Sequence, residues 1–140
     1  MTGSELRASA LQCLLETDPA VKADKVAAMA AAWQAGALAL DPGADIKDCA
    51  AIPGRPDNPV LVPPRLVGRR SMATVEGRAM LIHALAHIEF NATNLALDAL
   101  WRFPGMPADY YTDWLQVASE EAIHFSMLSA HLQALGFQYG

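Results

Sequence analysis

Two stretches with helical spacing of apolar residues, about Met72 to Phe103 and Pro107 to about Leu135, are separated only by the breaker "PGMP". No other feature constrains the fold as much, because two long helices joined by so short a break must lie side by side as an antiparallel hairpin. Ser71 offers an N-cap for the first and Gly136 a C-cap for the second. Upstream, Ser4 can cap a helix reaching about Glu16, with Leu11, Leu14 and Leu15 as its apolar stripe. Asp18-Pro19 then supplies a cap and a first-turn proline for a helix ending near Gly36. From Asp41 to Arg70 the chain carries Pro42, Pro53, Pro56, Pro59, Pro63 and Pro64 and shows no helical period, which reads as an extended strap or linker. The expectation is one all-α domain with N-terminal helices over 1–40, a Pro-rich strap over 41–70 and a helix hairpin over 71–140.

Composition narrows the partners. With 53% apolar and 18% charged residues, the 140-residue chain has the makings of a folded core. A net charge of −5 argues against nucleic acid, which needs a basic face; the one basic cluster, Arg65, Arg69 and Arg70, is short and reads as a solvated connector. Cys13 and Cys49 form no C-x-x-C motif and suit reduced thiols in a cytoplasmic protein. No signal peptide is evident, and the apolar run "AMLIHALAHI" is broken by histidines, so no membrane span is expected.

The chemistry concentrates in "SEEAIHF", where Glu121 and His124 stand three apart. At 100° per residue, Glu121 falls on a stripe with Tyr110, Trp114, Val117, Phe125, Leu128, Leu132 and Leu135, whereas Glu120 falls with Asp113, Gln116 and His131. On the preceding helix Glu89 sits with Ile82, Leu85, Ala92, Thr93, Ala96 and Leu100. Two core-facing acids and one imidazole, with no Lys or Arg close by, are expensive to bury unless something binds them. A metal held by Glu89, Glu121 and His124 would satisfy all three, and carboxylates with imidazole suit iron or manganese better than zinc. The other reading is that Glu121 and His124 hydrogen-bond each other while Glu89 reaches a strap amide. His83 and His87, at i and i+4, form a weaker candidate metal pair on a polar face with Glu76, Asn94 and Asp98.

The stretches "PGRPDNPVLVPPRLVGRR", "EGRAMLIHALAHIEFNATNLALDALWRF" and "MPADYYTDWLQVASEEAIHFSMLSAHLQALGFQYG" resemble the ferritin-like DUF455 proteins. "HIE" followed by "EEAIHF" is similar, more loosely, to the tRNA-hydroxylase (MiaE-like) branch of ferritin-like enzymes. The resemblance implies a ferritin-like hairpin, half of a four-helix bundle, with Glu89 as first-helix ligand, Glu121 as bridging carboxylate and His124 as imidazole ligand. It implies an iron cofactor, as a di-iron or iron–manganese pair, and oxidation chemistry in a pocket lined by Tyr110, Trp114 and Phe125. Such a site takes about four carboxylates and two histidines, and family members continue into a second helix pair. Here a homodimer could supply the rest by symmetry, the chain could be a truncated relative, or one metal could sit at an open three-ligand site. The alternative function is a helical scaffold without metal chemistry. Hydrolase chemistry finds no Gly-x-Ser-x-Gly elbow and no phosphate-cradling glycine loop.

Overall fold

The computed structural model describes residues 5–47, 51–60 and 71–140; Cys49 and the cluster Arg65, Arg69 and Arg70 lie outside them. Four helices follow in order: α1 (Leu6–Leu15), α2 (Pro19–Gln34), α3 (Val75–Arg102) and α4 (Ala108–Ala134). Their ends are set by local chemistry. The Glu5 carboxylate accepts from the Ala8 amide at 2.8 Å and caps α1. Asp18 Oδ1 accepts from the Val21 amide at 3.0 Å, ahead of Pro19 at the start of α2. For α3 the cap is Thr74, whose Oγ1 accepts from the Gly77 amide at 2.9 Å. Ser71, expected to start this helix, instead holds the preceding turn through the Ala73 amide at 3.0 Å. After α4, Gly136 takes φ +87° and the Phe137 amide returns to the Leu132 carbonyl at 2.9 Å, a Schellman stop.

The hairpin of α3 and α4 is the body of the molecule, with α1 lying on α3, α2 on α4 and α1 on α2. Small residues, Ala86 on α3 and Ala118 and Ala122 on α4, are buried in the core. Phe90, Leu97, Leu100, Tyr111, Leu115 and Phe125 then pack with Leu6, Leu11, Leu14, Val26 and Met29 into one apolar cluster. All four helices therefore share a single core. No strand occurs among the described residues; one isolated parallel bridge ties Glu5 to Ala39. Among the described residues, no helix is long and apolar enough to cross a membrane.

Two buried cations clamp the irregular segments to this body. Arg7, 1% exposed, donates to the carbonyls of Leu100 (3.3 Å) and Trp101 (2.6 Å) at the end of α3 and of Asp41, Pro42 and Ala44 in the segment after α2. It thus satisfies last-turn carbonyls at the negative end of the helix dipole. Lys22 Nζ donates to the Gly54 carbonyl at 2.7 Å and to Asn94 Oδ1 at 2.6 Å. Strap residues 41–47 and 51–60 hold neither helix nor strand, as their prolines dictate. Gly54 runs so close to α1 that a Cβ there would stand 2.3 Å from the Leu15 carbonyl oxygen.

The buried stripes are rotated from those expected. On α4 the core face is Tyr111, Leu115, Ala118, Ala122 and Phe125, so Tyr110, Trp114 and Val117 sit at its edge. On α3 Thr93, Ala96 and Leu100 are buried as the spacing predicts, but Leu85 is exposed and Ile82 half-buried. The reason is that α3 is apolar on two flanks. Phe90, Asn94, Leu97 and Trp101 lie on the flank that is buried, while Leu81, Leu85, Ile88 and Leu95 remain open to solvent.

Candidate metal centre

Glu89 lies mid-way along α3, and Glu121 and His124 lie one turn apart on α4, all on the edge between the core and the open flank. Antiparallel packing of the hairpin brings them together: one ligand atom from each lies within 4.8 Å of the others. His124 Nδ1 is 3.6 Å from Glu121 Oε2 and 3.8 Å from Glu89 Oε2. Neither separation is a hydrogen bond, so Glu121 and His124 do not satisfy each other. Among the described residues no strap amide donates to Glu89, and its Oε2 is buried with no hydrogen-bond partner. Among the described residues, no Lys or Arg pairs with either acid. The side chains are 22% (Glu89), 25% (Glu121) and 54% (His124) exposed, so the cluster is backed by core on one side and open on the other. Glu120 stands outside it, accepting from Gln116 Nε2 at 3.2 Å.

An unpartnered, buried carboxylate oxygen thus lies beside a second carboxylate and an imidazole nitrogen. Two oxygens and one nitrogen at this spacing could hold a divalent cation, and among the described residues no cysteine joins them. The three expected ligands are thus brought together, while the expected pocket residues are only partly so. Phe125 is buried beside the cluster, its ring 6.1 Å from that of Phe90. Trp114 and Tyr110 lie seven and eleven residues before Glu121, roughly 10 and 16 Å along the helix. The Tyr110 hydroxyl is committed to the Ala99 carbonyl at 3.0 Å.

The sequence profile of the family described as "Protein of unknown function (DUF455)" matches residues 15–140. The chain belongs to the DUF455 family. An uncharacterized protein of Haemophilus influenzae is 52% identical over 92 residues, a match covering 61% of this chain. The DUF455 chain described here spans about 32% of that relative's length. No solved structure matches.

A second polar constellation of this DUF455 chain was less legible. His83 and His87, expected on a solvated face, are half-buried because the C-terminal tail folds back over them. The Tyr139 ring stacks on His83 (5.0 Å between centroids) and His87 (6.1 Å), and the Gly140 amide donates to His83 Nε2 at 3.1 Å. Burial lowers the pKa of both imidazoles, assisted by the neighbouring His87 for His83 and by Arg55 for His87. Both His87 nitrogens are engaged, Nδ1 with the Tyr139 hydroxyl (2.8 Å) and Nε2 with Asn91 Nδ2 (3.3 Å). Asn94, placed on the same polar face by spacing, is 4% exposed and holds Lys22. Sequence reasoning missed Arg55, Asn91 and Tyr139 altogether. The only signal was an aromatic residue in "FQYG", just beyond a helix stop.

Proposed function

We propose that Glu89, Glu121 and His124 hold a redox-active metal, iron or an iron–manganese pair, in a ferritin-like half-site that serves oxidation chemistry. The observation that carries this reading is Glu89 Oε2, buried and unpartnered within reach of two further ligand groups. Iron or manganese there would supply one-electron chemistry toward dioxygen or peroxide. The chain's own groups divide the remaining work. Glu89 and Glu121 bring negative charge from two different helices, so the spacing of the hairpin fixes their separation. His124 turns Nδ1 toward both carboxylates, which makes Nδ1 its ligand atom. Ala122 and Phe125, both buried, exclude water on the core side.

The open side needs a cover. Leu85, Ile88, Ile123 and Met127 are exposed, on the two helices that carry the cluster, and leave a substantial apolar area in water. Two copies of the hairpin related by a two-fold axis would bury it and bring together four carboxylates and two imidazoles. That is the donor count of a two-metal bundle site. In a longer relative a second hairpin of the same chain would take that place. A second reading, a helical interaction module without metal, draws on the same exposed flank.

Calorimetric titration with ferrous iron under anaerobic conditions separates the readings. The metal reading expects saturable binding by the wild type, at least a tenfold loss in Glu121→Ala, and no change in His83→Ala. Binding that is absent, or equal in all three proteins, sinks it and leaves the interaction module.

A further inference from the structure

We infer that the opposite flank of α3 carries a separate binding site for a small aromatic carboxylate. His87 and Asn91 are each two residues from Glu89, so at about 100° per residue they project from the far side of the helix. There the strap, α3 and the C-terminal tail line a half-open pocket of about 200 Å³ whose walls include Arg55, Pro59, Phe90 and Tyr139. A cavity of about 150 Å³ is enough to hold benzene, so this one accommodates a six-membered ring with a small substituent.

The hydrogen bonds around it run in one direction. Arg55 Nη1 donates to Asn91 Oδ1 at 3.1 Å, and a guanidinium only donates, so the Asn91 oxygen must face it. The Asn91 amide nitrogen therefore faces His87 Nε2 at 3.3 Å, and that ring nitrogen must accept. The His87 proton is then on Nδ1 and is donated to the Tyr139 oxygen at 2.8 Å. Tyr139 is left with its own O–H to give, and burial raises its pKa to about 12, so the proton stays in place. At the other end of the relay Arg55 keeps its remaining N–H groups, and no carboxylate pairs with it among the described residues. Lys22 Nζ, 4.9 Å from the centre of the Phe90 ring, adds positive field. Asp57 lines the same cavity and is exposed. The lining thus carries two donors, the cationic Arg55 and the Tyr139 hydroxyl, with the Asp57 carboxylate at its exposed edge and apolar and aromatic walls. A carboxylate accepts from both, and an aromatic ring fills the space between Phe90 and Pro59. This inference is independent of the metal reading.

The test is titration of the metal-free 140-residue chain with sodium benzoate at low salt, followed by NMR shifts of the Arg55 side chain and by calorimetry. One-to-one saturation with a perturbed Arg55 signal is expected. Charge-assisted hydrogen bonds predict that Arg55→Ala weakens binding about tenfold or more, and Tyr139→Phe about fivefold. Acetate, lacking the ring, and benzyl alcohol, lacking the charge, should each bind at least tenfold more weakly than benzoate, while Glu121→Ala binds benzoate as the wild type does. No saturation by benzoate on the order of 10 mM, at the weak limit of specific affinity, overturns the inference. So does acetate or benzyl alcohol binding as well as benzoate. A wild-type titration that leaves the Arg55 signal unmoved does the same without depending on how any variant folds.

Discussion

Glu89→Met exchanges a buried, unpartnered carboxylate oxygen for an apolar side chain of similar length and helix propensity. Leaving a polar acceptor buried without a partner costs about 1–3 kcal/mol. The Glu89 side chain retains 22% exposure, which favours the lower part of that range. The metal-free variant should therefore be more stable than the metal-free wild type by about 1–2 kcal/mol, or roughly 3–8 °C in Tm for a chain of this size. If Glu89 holds a metal as proposed, adding metal should reverse the order. A ligand at a hundred times its Kd stabilises the wild type by about 2.7 kcal/mol, and the variant, lacking a ligand, gains little or nothing. Differential scanning calorimetry with and without anaerobic ferrous iron reads both effects. A variant that melts below the metal-free wild type, or that keeps the full metal-induced shift, would refute the idea that Glu89 is strained for the sake of binding.

Other residues give independent checks. Arg7→Met strands five carbonyls that Arg7 now satisfies, and should cost about 3–5 kcal/mol by urea unfolding. Gly54→Ala drives a methyl against the Leu15 carbonyl and should cost about 2–3 kcal/mol by the same assay. Burial, then Arg55, lowers the Lys22 pKa from 10.5 to about 8, so between those values the unfolded chain holds the proton that the folded one has released. Stability should rise with pH across that window. Burial raises the Cys13 thiol from 9.0 to about 11 and works the opposite way above pH 9, so the Lys22 effect is cleanest between about pH 8 and 9. Lys22→Met should abolish the rise there; an unchanged profile would contradict the assignment.

The helix order and most boundaries were legible because their signals are local. Asp18-Pro19, "PGMP" and Gly136 each act within a turn of where they stand, and the structure starts or stops helices at all three. The face of each helix was less legible. Periodicity weights large residues and passes over alanines, yet Ala86, Ala118 and Ala122 are buried here. That shifts the buried stripe of α4 by one position, from Tyr110 and Trp114 to Tyr111 and Leu115. A helix with two apolar flanks, like α3, also gives no periodic hint of which flank this chain covers. The Glu89, Glu121 and His124 cluster was readable because acids stand out within an apolar stripe. The Arg55, Asn91, His87 and Tyr139 relay was not, since it joins strap, helix and tail across long sequence separations that no local spacing encodes.

The most direct test of the central claim is native mass spectrometry of the purified chain after anaerobic loading with ferrous iron, because it counts chains and metal ions in one spectrum. The account predicts a pair of chains carrying two irons, with both irons lost in Glu121→Ala. A metal-free single chain would contradict it.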